Sequence, residues 1–204
     1  MVGLLMSQII LSLVLALAFL IRPGVTANVG WKIVAFIGLC ILPAMCIVGG
    51  MNTHIVRSEQ RRFCISCHAM EPYGRSLYLD DSKFLPAQHF QNHRVPPDTA
   101  CEACHADYSI YGPLKDKARG LTRIFVQYVS TPPEPASIRI EGGFKNGQCL
   151  HCHEGARDFM ENPVHSSLMA SLMSNQMSCL TSGCHDAAHD VDNLKNEKFW
   201  SPGQ

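Results

Sequence analysis

Eight of the ten cysteines form four pairs, and a histidine directly follows the second cysteine of each pair. Two thiols beside one histidine can bond both vinyl groups of a porphyrin while the histidine binds its iron, which is the attachment chemistry of c-type haem. We number these haem motifs one to four along the chain. They comprise Cys64, Cys67 and His68; Cys101, Cys104 and His105; Cys149, Cys152 and His153; and Cys179, Cys184 and His185.

Structural zinc and disulfide bonds are the alternatives for paired cysteines. Zinc sites use the same C-x-x-C spacing, but they do not need a histidine after every pair. Disulfide frameworks rarely join such near neighbours. Covalent haem therefore explains the pattern best. The fourth motif has four residues between its cysteines, and Gly183 supplies the backbone freedom for that wider loop.

Four six-coordinate haems need eight axial ligands, and the motif histidines supply at most four of them. The chain has ten histidines, so enough remain outside the motifs to serve as further ligands. Its charge is balanced, with 17 Lys and Arg against 17 Asp and Glu. No nucleic-acid partner is expected from this composition.

The elements that must position these motifs begin with two uncharged segments, residues 2–21 and 33–51. Each is long enough for a helix that crosses a hydrocarbon core of about 30 Å. We predict two transmembrane helices joined by a tight loop at residues 22–32, with Pro43 kinking the second helix. The predicted anchor covers residues 1–56, and residues 57–204 form the haem domain.

A cleaved leader is the alternative for the first helix, because Val25-Thr26-Ala27 resembles a signal-peptidase site. Haem is joined to c-type cytochromes outside the cytoplasm, and cleavage would make the second helix carry the haem domain inward. We therefore expect the first helix to be retained in the bacterial inner membrane, with the haem domain on the periplasmic side.

The haem domain has no run of alternating apolar residues that would predict strands. Helical patterns cover residues 115–129, 154 towards 160, and 166–173. The predicted fold class is mainly α: N-terminal transmembrane helices and a small, irregular and helical multihaem domain organised around four haems. Apolar sequence is scarce here, so we expect the porphyrins to fill much of the interior.

The anchor, the four motifs and the sequence Cys64-Ile65-Ser66-Cys67-His68-Ala69-Met70 resemble the NapC/NirT family of membrane-anchored tetrahaem quinol dehydrogenases. The resemblance covers most of residues 33–190. It implies that Met70 replaces His68 on the first iron and leaves the other face open beside the quinol. Ordinary ligation by His68, with Met70 as a packing residue, is the alternative.

The same resemblance implies that His89, His165 and His189 are distal iron ligands, with His93 as the rival of His89. It also places Lys117 in a quinol site, with Lys115 as its rival. The acidic residue that the family has nearby is not evident, because no Asp or Glu lies between residues 118 and 133. Which distal histidine serves which motif stays open.

The implied function is oxidation of quinol from the membrane pool and transfer of the electrons to a periplasmic multihaem reductase or cytochrome. The alternative is an enzyme that itself reduces a small substrate such as nitrite or hydroxylamine at an open haem. A haem-bearing assembly or sensor module is a third possibility. Nothing in the sequence marks a pocket with converging acid and base groups, which favours electron transfer.

Overall fold

A computed structural model describes residues 2–140, 143–189 and 191–202. The chain divides into two units, Met1–Ser58 and Glu59–Gln204. Helices dominate, and the described residues contain no strand beyond one isolated bridge between Leu79 and Phe199. The α-helices are α1 Val2–Ile21, α2 Val29–Phe36, α3 Leu42–Ser58, α4 Arg61–Cys64, α5 Glu71–Ser76, α6 Leu85–Gln91, α7 Ala100–His105, α8 Gly112–Val129, α9 Asn146–His153, α10 Arg157–Glu161 and α11 Pro163–Met173.

The first unit is a helical hairpin. Its helices at Gly3–Ile21 and Val29–Ser58 are 19 and 30 residues long and apolar enough to cross a membrane. The second helix is longer than predicted, because helical geometry continues through Lys32 and through the polar residues that follow Met51. The predicted loop is correspondingly shorter: a 3₁₀ turn at Pro23–Ala27 is followed by α2 from Val29.

Contacts along the hairpin run in opposite directions in the two helices, so the helices are antiparallel. Gly49 faces the side chain of Leu5 and Gly38 faces that of Leu15, and the absence of a Cβ at each glycine leaves room for the leucine. Between them, the Cys46 thiol donates a hydrogen bond to Gln8 Oε1 at 3.6 Å. Nearer the turn, Phe19 meets Trp31 edge to face.

A π-helical turn at Ile37–Ile41 joins α2 to α3 immediately before Pro43. Proline has no N–H to donate to the carbonyl four residues earlier, and its ring clashes with that carbonyl. A wider turn relieves this conflict without ending the helix. The helix therefore changes type next to Pro43, and the kink expected from the sequence stays a prediction.

The second unit has three small apolar clusters. The first contains Leu79, Phe84, Ala87 and Leu194, the second Leu77, Phe90 and Ala100, and the third Leu150, Phe159 and Leu172. The second cluster includes the first residue of α7, and the third packs against Cys179 at the start of the fourth motif. One apolar cluster therefore supports the second motif, and a different cluster supports the third and fourth motifs.

Helix boundaries in the second unit differ from the sequence expectations at their N-terminal ends. α8 begins at Gly112, because Pro113 fits the first turn of a helix. The helix expected from residue 154 is wrong: Glu154 and Gly155 form a turn, and α10 begins at Arg157. α11 begins at Pro163, where the Asn162 side chain accepts a hydrogen bond from the Val164 N–H.

Gly112 at the start of α8 provides the first testable prediction. A Cβ at this position would collide with the backbone carbonyl of Asp107, which cannot move like a flexible side chain. We expect Gly112→Ala to lower the free energy of unfolding by about 2 to 4 kcal/mol, measured by guanidinium unfolding followed by circular dichroism.

Gly120→Ala in the same helix is the matched control. No atom lies within 4 Å of a Cβ built there, so removing backbone freedom from the unfolded chain should stabilise the protein by about 0.5 to 1 kcal/mol. Equal effects of the two substitutions would contradict the steric role of Gly112.

Candidate functional site

The four haem motifs lie on or beside short helices that pack in chain order. α4 ends at Cys64, α7 carries the second motif and α9 the third. α4 packs against α7, α7 against α9, and α9 against α11. The fourth motif follows α11 in a loop, where Gly183 has a left-handed φ of 85°, which confirms the conformational role predicted for this glycine.

Cysteines of successive motifs are neighbours. The Cys64 thiol hydrogen-bonds with that of Cys101, and Cys149 pairs in the same way with Cys179. Desolvation and then the neighbouring Cys152 raise the pKa of Cys104. The four motifs therefore follow one another in space in the order of the sequence.

Desolvation raises the pKa values of Cys104, Cys149 and Cys179, whereas the hydrogen bond with Cys64 lowers the pKa of Cys101. Desolvation, and next the charge and hydrogen bond of Cys179, raise the pKa of Cys149 to about 12. Zinc binds cysteine as thiolate, so this environment does not favour a zinc site. Among the described residues, no three His, Cys, Asp or Glu side chains cluster as a zinc ion would require.

Three of the motif histidines each face one of the distal histidines predicted from the sequence. Ring centroids are 6.3 Å apart for His105 and His189, 6.0 Å for His89 and His153, and 6.1 Å for His165 and His185. The angles between the ring planes are 13°, 81° and 41° in the same order.

These distances test whether the residues fit haem iron. Two imidazoles that bind one metal from opposite sides, each through a nitrogen about 2.0 Å away, have ring centroids roughly 6 Å apart. All three pairs have this separation, whereas stacked aromatic rings in direct contact lie closer, as Tyr108 and His151 do at 3.7 Å. The histidine pairs therefore fit bis-histidine ligation.

His89 is held in the tautomer that ligation requires. Its Nδ1–H donates to the Leu85 carbonyl one helical turn earlier, at 2.8 Å. The lone pair of neutral imidazole is then on Nε2 and is available to a metal. The backbone of α6 thus orients the side chain.

His189 is oriented by Ser76, which is almost completely buried. The Ser76 hydroxyl donates to the Tyr73 carbonyl at 2.7 Å, so its oxygen accepts the Nδ1–H of His189 at 2.5 Å. Desolvation, and then the nearby His105, lower the pKa of His189 to about 4. Its imidazole is therefore neutral at physiological pH, which is the form that binds metals.

The first motif differs from the other three. No second histidine ring lies against His68 in the described parts of the chain, and its side chain is 93% exposed, with Nδ1 3.6 Å from the Glu71 carboxylate. Met70 is partly buried at the end of the 3₁₀ turn His68–Met70. His93 is exposed with a left-handed φ of 54°, and among the described residues its ring lies against no motif histidine.

Lys117 lies between two carboxylates that the sequence analysis did not single out. Its Nζ is 3.8 Å from Glu59 Oε1 and 3.7 Å from Glu102 Oε1, and its side chain is only 25% exposed. Glu102 belongs to the second motif, and desolvation raises the pKa of its carboxyl while Lys117 opposes that shift. Lys115 is exposed.

Sequence reasoning missed these partners because it looked for an acidic residue only after the lysine. Glu59 and Glu102 precede Lys117 by 58 and 15 positions, so no local spacing marks them. Ser76 was missed because the histidine it contacts lies 113 positions away, so no local pattern links the two residues.

Comparison with known proteins agrees with the geometry. A family model described as the NapC/NirT cytochrome c family, N-terminal region, matches residues 26–194, which is most of the chain. No curated protein and no solved structure matches the chain.

Proposed function

The chain belongs to the NapC/NirT cytochrome c family, and from this premise we propose that it is a tetrahaem quinol dehydrogenase subunit. Family membership makes it a cytochrome with covalently bound haem c that transfers electrons. Two N-terminal apolar helices anchor it in the membrane. Our proposal adds four haems, oxidation of quinol, and delivery of electrons to a periplasmic multihaem reductase or cytochrome.

The three histidine pairs are the observation that carries this proposal. Each pair joins one motif histidine to one distal histidine at the separation expected for two ligands of one iron. Haem held in this way supplies a ferric and ferrous couple that exchanges single electrons. Two histidines at each of these sites would hold a haem iron and leave no position for a substrate, so the three sites suit electron transfer better than binding of a substrate.

The first site is the proposed entry point for electrons. Here Met70 is the proposed ligand, and the exposed side chain of His68, directed towards Glu71, supports a position away from the iron. Lys117 and its two carboxylate partners lie beside the first and second motifs. Glu102 is part of the second motif, and the charges of Glu102 and Lys117 shift the pKa of Cys64 in the first motif in opposite directions. Oxidation of quinol releases two protons, and these side chains can accept and donate hydrogen bonds to the quinol hydroxyl groups.

Substitution of Met70 tests the assignment of the first ligand. We expect Met70→Ala to lower the midpoint potential of one haem and change its visible spectrum, because methionine ligation raises haem potentials. His68→Ala should leave potential and spectrum nearly unchanged. Intact mass should show four covalent haem additions in both variants. The reverse pattern, with the spectrum sensitive to His68 alone, would exclude Met70 as the ligand.

Substitution of Lys117 tests the quinol site. We expect Lys117→Met to slow reduction of the haems by quinol at least about 10-fold, because the variant loses a positioned proton donor and acceptor. Reduction by dithionite should be unaffected. Stopped-flow absorbance measures both rates.

Lys115→Met is the matched control on the same helix, and its rate should remain within about twofold of the parent protein, since Lys115 is exposed and is not held between Glu59 and Glu102 as Lys117 is. Equal effects of the two substitutions would remove Lys117 from the site. Reduction of nitrite or hydroxylamine by the purified chain with an artificial donor would instead favour the enzyme alternative.

A further inference from the structure

Helix α8 carries large apolar side chains that face away from the protein. Leu114, Leu121, Phe125 and Tyr128 are 69%, 65%, 58% and 78% exposed. Their spacing of seven, four and three residues puts them on one face of the helix. Ordinary surface helices turn such a face towards the core, so this one lacks a partner within the described parts of the chain.

The adjoining face of α8 is basic. Lys115, Arg119 and Arg123 follow one another at intervals of four residues, and all three are exposed. Exposed Tyr111 and Tyr128 lie at the two ends of the helix. Apolar residues on one side, cations on the other and tyrosines at the ends are typical of helices that lie in the headgroup region of a bilayer.

The position of α8 along the fold supports a lipid surface as the occupant. Lys117 of α8 forms its ion pair at 3.8 Å with Glu59, the residue that directly follows the last turn of the second long apolar helix. The middle of α8 is therefore held against the first residue that follows the anchor in the sequence. Anionic lipid headgroups would complement the three cations.

We infer that α8 is an interfacial membrane-binding helix. It lies in the plane of the bilayer surface, with Leu114, Leu121, Phe125 and Tyr128 in the acyl boundary and Lys115, Arg119 and Arg123 against lipid phosphates. Lys117 lies at the edge of the apolar face in helical projection, so the bound helix holds its ammonium at headgroup depth. The inference does not depend on the proposed quinol site.

Site-directed spin labelling of the full-length, haem-loaded protein tests it. The background variant carries Cys40→Ala and Cys46→Ser, which removes both thiols outside the haem motifs and keeps a donor towards Gln8. Nitroxides are attached to Leu121→Cys on the apolar face and to Arg119→Cys on the basic face. Power saturation then measures collision with oxygen, which concentrates in lipid, and with a water-soluble nickel chelate, in nanodiscs containing phosphatidylglycerol.

We expect the label at position 121 to collide more with oxygen than with nickel, and the label at 119 to show the opposite ratio. Each collision value is the difference from a measurement under nitrogen, so the relaxation caused by haem iron is subtracted. Preferential collision with nickel at both positions would mean that the helix is in water and would overturn the inference. Low collision with both reagents at 121 would mean that protein or haem covers the face, which would also overturn it.

Two further measurements complete the test. In nanodiscs of phosphatidylcholine alone, the contrast between the two labels should weaken, and an unchanged contrast would refute the role of the three cations. Labels at Phe125→Cys and Arg123→Cys repeat the comparison if the first pair lowers haem content. The visible spectrum must match that of the background variant in every case.

Discussion

His89→Ala will remove one low-spin electron paramagnetic resonance signal from the oxidised protein, and it will be the most anisotropic one. The rings of His89 and His153 are almost perpendicular, at 81°. Perpendicular imidazoles leave two iron d orbitals nearly equal in energy, which gives a strongly anisotropic signal. Loss of one axial ligand should convert that site to high spin, because axial ligands set the electronic state of haem iron.

His189→Ala will remove a different, more rhombic signal. Its ring is nearly parallel to that of His105, at 13°, and parallel imidazoles split the same two orbitals. The two substitutions therefore report which motif each distal histidine serves, without any change to a motif residue that haem attachment requires.

His93→Ala is the control for His89, since His93 is exposed and only four residues further along the chain. It should leave every low-spin signal in place. Loss of the anisotropic signal in His93→Ala would transfer the ligand role to His93. Loss of the same signal in both His89→Ala and His189→Ala would contradict the pairing seen in the structure.

Asn146→Ala will cost about 3 to 5 kcal/mol of unfolding free energy. The side chain is 1% exposed and joins the segments around the third and fourth motifs. Its Nδ2 donates to the Leu172 carbonyl at 2.8 Å and the Met177 carbonyl at 2.6 Å, and its Oδ1 accepts from the Cys179 N–H at 2.8 Å. Alanine leaves the Met177 carbonyl and the Cys179 N–H without these partners, each at a cost of about 1 to 3 kcal/mol, while the Leu172 carbonyl keeps the N–H of Asn175 at 3.2 Å.

Guanidinium unfolding of the haem-loaded protein measures this loss, and the melting temperature should fall by roughly 10 °C. Asn162→Ala is the control, because it removes one helix cap from the surface and should cost about 1 kcal/mol. If Asn146→Ala is no more destabilising than Asn162→Ala, then Asn146 does not hold the fourth motif against the third.

Local patterns in the sequence were sufficient for the attachment sites and the anchor. Two thiols and a histidine within five residues are chemically complete as a haem-binding unit, so spacing alone identifies the first three motifs. A continuous apolar segment needs no tertiary partner to be read as a membrane helix. The first residues of helices were harder to predict, because each depends on a single residue. Asn162 caps α11, and Pro113 lies in the first turn of α8.

The partners of these residues became visible only in three dimensions. From its place in the chain, His89 precedes the second motif, yet the fold brings it to His153 of the third. Ser76 orients His189, which lies 113 positions later in the sequence. Lys117 contacts Glu59, which precedes the first haem motif in the sequence, and Glu102, which follows it. The sequence by itself determined which residues can hold haem, because covalent attachment is a local property. Only the tertiary structure decided which histidine rings face one another and which carboxylates flank the lysine, because non-local packing brings those groups together.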